Sequence, residues 1–420
     1  MIDQLEVRLR TFFESQGFNQ ATPIQEQIFG PILAKQDLLA LSPTGTGKTL
    51  AYLLPILQSI KPDHSLQAVI FAPSQELAQQ IFDLAETWCQ QVEITCLNLV
   101  GGANMRRQIE RLKSKPELVV ATPGRFNELL KQSAKLKVHT VERIIYDEAD
   151  YLFAPGQSII QDLEMIEKRM MRDVHRVYCS ASKSQALLDY LALKHPQLAF
   201  IEVDPKQTPN QTEHYYLLTA NRDKIADLKR LAQVDDMQAL VFFDQISSLE
   251  RAATKLIYEN QQVVILHSQL TTQERAIALQ AFRQAKATYL LTTDLAARGL
   301  DIEGIPYVIQ FDPAKDLTTY QHRAGRTGRM GQEGCVVSLV NQQEAQNLLL
   351  LLGDSDFEIE ERILFDRHLV KEKPQVEKKD PIKKTNSPVS KSVSRPAQPK
   401  KRKKNRHRLQ KNIGKPKKKD

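Results

Sequence analysis

The sequence predicts an α/β protein: two tandem parallel-sheet domains followed by a disordered basic tail. Three observations carry this reading. Short apolar runs rich in β-branched residues alternate with segments of helical period, the alternation pauses and restarts once, and the hydrophobic content collapses near the C-terminus. At 420 residues the chain is long enough for two or three domains, each with its own core. Hydrophobic residues at 41% and charged residues at 26% are ordinary for a soluble globular protein.

In the first half, strands are expected at 37–41, 67–72, 117–121, 143–146 and 176–179, where apolar β-formers cluster. Between them, Gln75–Cys89 carries Leu77, Ile81, Leu84 and Trp88 at helical spacing. Residues 204–213 turn to Pro, Gln, Asn and Thr, a linker composition. The alternation then resumes with strands expected at 239–243, 262–267, 288–291, 307–311 and 335–340. The domains are therefore drawn at 1–204 and 213–365. They share no close sequence repeat, so any likeness between them is architectural. Leu348–Leu352 is expected to be the buried side of a closing helix.

The net charge of +8 conceals a division. Residues 371–420 hold 20 Lys and Arg against 4 acidic residues, a net of +16, while the rest of the chain is net −8. A segment so poor in apolar residues cannot offset its ordering entropy, which predicts disorder, and its charge predicts non-specific attachment to a polyanion. Cys89, Cys96, Cys179 and Cys335 form no CxxC pair and have no histidine cluster beside them, so free thiols are expected. No run is apolar enough to span a bilayer, and residues 1–13 lack the layout of a secretory signal, which predicts a cytoplasmic protein with no membrane partner.

The chemistry gathers where expected strands run into polar loops, the edge at which open α/β sheets bind ligands. Ser42-Pro43-Thr44-Gly45-Thr46-Gly47-Lys48-Thr49 follows the first strand and precedes the apolar run Leu50–Ile56. Glycines let successive N–H groups face phosphate oxygens, Lys48 can reach the β/γ-phosphates, and the Thr49 hydroxyl can hold Mg²⁺. Ser42 stands where the general phosphate-loop pattern has glycine. A second apolar strand, Arg143–Tyr146, delivers Asp147-Glu148-Ala149-Asp150 to the same edge. Asp147 is placed to hold the metal through water, and Glu148 to polarise an attacking water as general base.

With its Asp-Glu-Ala-Asp run and ordered flanking motifs, the chain resembles the DEAD-box ATP-dependent RNA helicases of superfamily 2, bacterial type, over about residues 15–345. The resemblance implies two RecA-like domains, ATP and Mg²⁺ as cofactors, and RNA as partner. Gly17-Phe18 and Ala21-Thr22-Pro23-Ile24-Gln25 resemble the Q motif, implying that Phe18 and Gln25 sit at the adenine. By local chemistry alone, Thr22 and Pro23 start a helix. Pro73-Ser74-Gln75-Glu76-Leu77-Ala78 resembles Pro-Thr-Arg-Glu-Leu-Ala, with Gln75 in place of arginine. Gly101-Gly102 and Thr122-Pro123-Gly124-Arg125 match two further motifs. These imply backbone contacts to RNA from Pro73, Gln75, Gly102, Thr122 and Arg125.

Ser180-Ala181-Ser182 resembles the Ser-Ala-Thr motif that couples Asp150 to the interdomain cleft. In the second half, 292–301 resembles motif V, implying Thr293 on RNA and Gly299 and Asp301 on the ribose. Residues 320–329 resemble motif VI, with His322 in the coupling and Arg326 and Arg329 as arginine fingers. Their i, i+3 spacing would place both on one helical face. A purely solvated basic helix is the competing local reading of Arg323, Arg326 and Arg329. His267, Arg275 and Phe282 fit the segment between, and Val241-Phe242-Phe243 resembles the strand of motif IV.

Because Lys48 and Glu148 lie in one domain and the arginines in the other, hydrolysis requires closure of the two. The resemblance implies local strand opening by a monomer, with ribosomal or RNA-decay assemblies as possible partners. An ATP-gated RNA clamp or assembly scaffold with little unwinding would carry the same motifs, and a DNA helicase would share the phosphate loop and acidic motif. Compact loops and a short N-terminal flank favour a bacterial source.

Overall fold

The structure is a computed structural model describing residues 1–372, except 44, 156–157, 204–210, 298–303, 329–332, 354 and 356, with backbone alone at 211, 272 and 295. Apolar runs buried on both faces become parallel strands. In the first half these are β1 (Leu38–Leu41), β2 (Ala68–Phe71), β3 (Cys96–Leu99), β4 (Leu118–Ala121), β5 (Arg143–Tyr146), β6 (His175–Ser180) and β7 (Ala199–Glu202). They form one seven-stranded sheet, ordered β3-β4-β2-β5-β6-β1-β7 and parallel throughout.

Alternate residues feed the two faces. Leu38, Ala40, Ala68 and Ile70 join one core with helices Lys48–Ser59 and Gln75–Cys89, while Leu39, Leu41, Val69 and Phe71 join the other with Pro123–Gln132. Each face therefore buries a full side-chain layer, the condition under which a parallel sheet is stable. In the helix Gln75–Cys89, Ile81 and Trp88 are buried and Leu77 and Leu84 partly so, as its periodicity requires.

The second half supplies β8 (Gln211–Leu218), β9 (Ala239–Phe243), β10 (Val263–Leu266), β11 (Tyr289–Thr293), β12 (Tyr307–Gln310), β13 (Glu333–Val340) and β14 (Ile359–Glu361). Their order, β10-β11-β9-β12-β13-β8-β14, repeats that of the first sheet strand for strand. A small antiparallel pair, β15 (Ile363–Phe365) and β16 (His368–Val370), follows.

The differences from the sequence reading fall mostly at sheet margins. β3, β7 and β14 are edge strands, covered on fewer sides, and their short runs carry Asn98, Glu202 and Glu360 rather than continuous apolar residues. β8 begins at Gln211, inside the segment read as linker, because eight residues of parallel pairing with β13 override its polar start. Of the leucine run, Leu348 and Leu352 face the core, whereas Leu350 on the same helix, Gln342–Leu352, is 80% exposed. Residues 373–420, most of the basic tail, lie outside the described residues.

Candidate active site

Strand order sorts the motifs. The phosphate loop follows β1, the acidic run follows β5 and Ser180-Ala181-Ser182 follows β6, and these three strands are neighbours. The loop stems are tied across the edge, Ser42 N–H donating to Ser180 O at 3.1 Å. Gly45 and Gly47 adopt φ of +79° and +85°, and a Cβ on Gly47 would sit 2.7 Å from Gln25 Nε2. Glycine is required there on both counts. Ser42, the departure from pattern, is explained locally: its hydroxyl shares a 2.7 Å hydrogen bond with the buried Thr46 hydroxyl, which also donates to Pro43 O at 2.9 Å.

Lys48 Nζ donates to the carbonyls of Ser42 at 2.6 Å and Pro43 at 2.9 Å, so the ammonium is held within the loop by backbone oxygens. Desolvation lowers its pKa despite the nearby Asp147, Cys179, Asp150 and Glu148. Thr49 lies in the first turn of the same helix. Gln25, on the helix Pro23–Leu33, accepts from Thr22 N–H at 2.9 Å and donates to Gly47 O at 3.4 Å, which ties the Q-type segment to the loop. Phe18 is 36% exposed and packs on Phe13 with ring centroids 5.0 Å apart. Thr44 lies outside the described residues.

At the end of β5, Asp147 is buried, accepting from Tyr52 Oη at 2.9 Å and from Glu148 N–H at 3.0 Å. Burial first, then the charge of Glu148, push its pKa up to about 6 against the pull of Lys48. Glu148 is in the left-handed region with φ +50°, a conformation that costs a non-glycine residue about 1 kcal/mol or more. The turn sends its side chain away from the strand, toward the second domain.

There the two halves meet. Arg326 Nη2 lies 3.8 Å from Glu148 Oε1, and His322 Nε2 lies 3.0 Å from Asp150 Oδ2. Asp150 also accepts from Ser182 Oγ at 2.6 Å, and Ser180 Oγ donates to Ser182 O at 2.8 Å. Burial opposes ionisation of Asp150, but the bonds from His322 and the two serines outweigh it and hold its pKa near about 2. A third bridge joins Arg275 Nη2 to Glu76 Oε1 at 2.6 Å. Arg326 does not sit on a helix: Leu317–Ala324 ends at Gly325, so the helical-face argument for Arg326 and Arg329 fails. Arg326 is brought to Glu148 by the turn after that helix. Arg329, Gly299 and Asp301 lie outside the described residues.

The remaining motifs gather on β3, β4 and β2, again neighbours. Gln75 lies over the glycine pair, its Nε2 2.9 Å from where a Gly101 Cβ would stand and its Oε1 3.2 Å from that of Gly102. Pro73 leads into Ser74, which caps the helix by accepting from Leu77 N–H at 3.1 Å. Thr122 caps the helix Pro123–Gln132 without a side-chain bond, so its hydroxyl is not spent on the cap. Arg125 is 12% exposed and braces the glycine loop, Nη1 donating to Ala103 O and Gln108 Oε1, both at 2.9 Å. Thr293 ends β11 on the equivalent edge of the second sheet.

The comparisons agree with this geometry. The DEAD/DEAH box helicase family model matches residues 22–189, and the helicase conserved C-terminal domain model matches 223–331. The chain is 41% identical over 354 residues to "Probable ATP-dependent RNA helicase YfmL" of Bacillus subtilis, covering 84% of this chain and 93% of that protein. It is 37% identical to the DEAD-box ATP-dependent RNA helicase CshC of Bacillus cereus, covering 90% and 97%. The chain belongs to the DEAD-box ATP-dependent RNA helicases. Among solved structures it is similar to S. cerevisiae Dbp5 bound to RNA and ADP BeF3, with TM-score 0.77, 26% identity and coverage of 85% and 94%.

As a DEAD-box helicase the protein is an RNA-dependent ATPase that binds ATP, and both RecA-like sheets are complete in it. No helix among the described residues is long and apolar enough to cross a membrane. Sequence reasoning missed several residues of the helicase's cleft. Arg323, 1% exposed, pairs Nε and Nη2 with Asp294 at 2.7 Å each, and donates Nη1 to Asp312 O at 2.6 Å. Burial would lower its pKa, but Asp294 and Asp244 raise it. A solvated basic helix is thus excluded for Arg323, and Arg326 is only 7% exposed. Asp294 stands directly after Thr293, but it meets Arg323 across 29 residues, and no spacing in the sequence announces that bidentate pair.

Proposed function

We propose that this helicase grips RNA by its sugar–phosphate backbone and opens short duplexes locally, with ATP and RNA each favouring the closed arrangement of the two sheets. The observation that carries the reading is the approach of Arg326 to Glu148 at 3.8 Å, beside His322 on Asp150 at 3.0 Å. A general base and a cation for the transferred phosphoryl group converge from different domains, so turnover depends on closure. Ligands that bind the closed state better drive it, and only in proportion to that difference.

In this reading Lys48 draws on the β/γ-phosphates, leaving the loop carbonyls that hold it, while the loop N–H groups of 45–49 face phosphate oxygens. Glu148 takes a proton from the attacking water, and Arg326, with Arg329, stabilises the charge that develops. Gln25 and Phe18 serve adenine, and Gly299 and Asp301 the ribose. The residues present fit Mg²⁺: the Thr49 hydroxyl and the buried Asp147 carboxylate are hard oxygen donors at the same sheet edge. Thr49 would hold the ion directly and Asp147 through water. Bound there, it would neutralise phosphate charge.

Pro73, Gln75, Gly102, Thr122 and Arg125 on one sheet edge and Thr293 on the other form the RNA track, reading backbone and 2′-hydroxyls rather than base sequence. The similar yeast Dbp5 was solved bound to RNA and ADP BeF3, which supports RNA as the ligand. We place the protein in the cytoplasm as a monomer, acting on structured RNA such as ribosome-assembly or decay intermediates.

The test is Glu148→Gln. RNA and ATP binding should persist, while RNA-stimulated turnover falls by about 10²–10⁴-fold, the worth of a general base. A variant hydrolysing ATP at the wild-type rate would overturn the assignment. Strand displacement measured beside ATPase on a short RNA duplex separates unwinding from clamping.

A further inference from the structure

The phosphate-loop helix Lys48–Ser59 is buried along Leu50–Leu57, and within that apolar stretch stands the phenol of Tyr52, 0% exposed. A buried hydroxyl left without a partner destabilises the fold. Tyr52 Oη finds Asp147 Oδ2 at 2.9 Å. The bond is not local: Tyr52 follows β1 and Asp147 follows β5, with β6 between them in the sheet. It therefore crosses beneath the catalytic edge and joins the loop helix to the acidic strand end. With a carboxylate as its partner, the phenol is the donor of this bond.

A consequence follows for the carboxylate it touches. Asp147 is held at both ends, Oδ2 by Tyr52 and Oδ1 by Glu148 N–H at 3.0 Å, which fixes the plane of the carboxylate and leaves lone pairs directed outward. One hydroxyl thus orients a carboxylate that would help to hold Mg²⁺.

We propose that Tyr52 is a positioning residue for Asp147, setting the geometry of that carboxylate for cation binding before nucleotide arrives. This rests on the reading of Asp147 as a metal holder. Partners behind a ligand typically govern metal affinity by about 10–100-fold when removed. Phenylalanine fills the same volume and lacks the donor, so Tyr52→Phe isolates the bond while preserving the core.

The experiment is a titration of the full chain with Mn²⁺ in the presence of ADP, followed by electron paramagnetic resonance, for wild type, Tyr52→Phe and Asp147→Asn. Tyr52→Phe should weaken Mn²⁺ binding about tenfold. Its metal-free melting temperature and metal-free ADP affinity should stay near wild type, and the Mg²⁺ needed for half-maximal RNA-stimulated ATPase should rise in parallel. Asp147→Asn should also weaken Mn²⁺ binding. If Asp147→Asn does so and Tyr52→Phe binds Mn²⁺ like wild type, Tyr52 is only core and the proposal is overturned, whatever its melting temperature. If neither variant changes Mn²⁺ affinity, the metal reading of Asp147 fails and the proposal falls with it.

Discussion

Gln75 occupies the place where the family resemblance leads one to expect arginine, and its amide rests against the Gly101–Gly102 turn instead of carrying a charge toward that turn. Restoring the charge should add one phosphate contact. Gln75→Arg is expected to tighten binding of single-stranded RNA severalfold and to steepen the salt dependence by about 0.7 in slope. Fluorescence anisotropy at a series of salt concentrations checks this, and an unchanged slope would show that position 75 does not face the backbone. Ser42 illustrates a departure with a visible reason, since its hydroxyl engages Thr46. At this scale the phosphate loop and the acidic run were legible because each motif is contiguous. Tyr52, Asp294 and the Arg275–Glu76 bridge were not, because their partners come from distant parts of the chain and no spacing rule announces them.

Among the elements, β8 holds His214 between Tyr320 and Phe357, with Nδ1 2.9 Å from the Tyr320 hydroxyl. Tyr320 belongs to the helix Leu317–Ala324 that ends just before Arg326, so β8 anchors the arginine-bearing turn from behind. Burial lowers the His214 pKa to about 4 from the usual 6.5. The sign follows from linkage: the unfolded chain takes up the proton first, so His214 supports the fold fully above about pH 6.5, and that support is lost as pH falls toward about 4. The loss amounts to up to about 3 kcal/mol. Urea unfolding between pH 7.5 and 4.5 should show this decline, and His214→Gln should flatten it. A slope identical in the variant would assign acid sensitivity elsewhere. Most interior strands and the apolar edge strand β10 were legible from composition, whereas β3, β7, β14, the polar start of β8 and the Gly325 helix end depend on what they pair with or pack beside. Arg326 reached its place by a turn that no periodicity encodes.

The whole molecule combines a mildly acidic body with a strongly basic C-terminal segment, which sequence alone could reveal as a charge asymmetry. A chain ending at residue 372 should bind RNA more weakly and with a flatter salt dependence, while its ATPase at saturating RNA stays close to that of the full chain. Equal salt slopes for the two would remove the tail from RNA attachment. The larger architecture, two sheets with one strand order, was legible only as repeated alternation. The order itself is set by crossovers between segments far apart in sequence, which no local pattern records.

That shared order has a consequence for how the engine is assembled. Two platforms of one design confront each other, yet one presents carboxylates and the other guanidinium groups, so each is the missing complement of the other. Were they separate subunits, the site would come apart on dilution. Carried on one chain, they meet at an effective concentration that for linked modules is on the order of millimolar. Turnover per chain at saturating RNA should therefore stay constant as the protein is diluted.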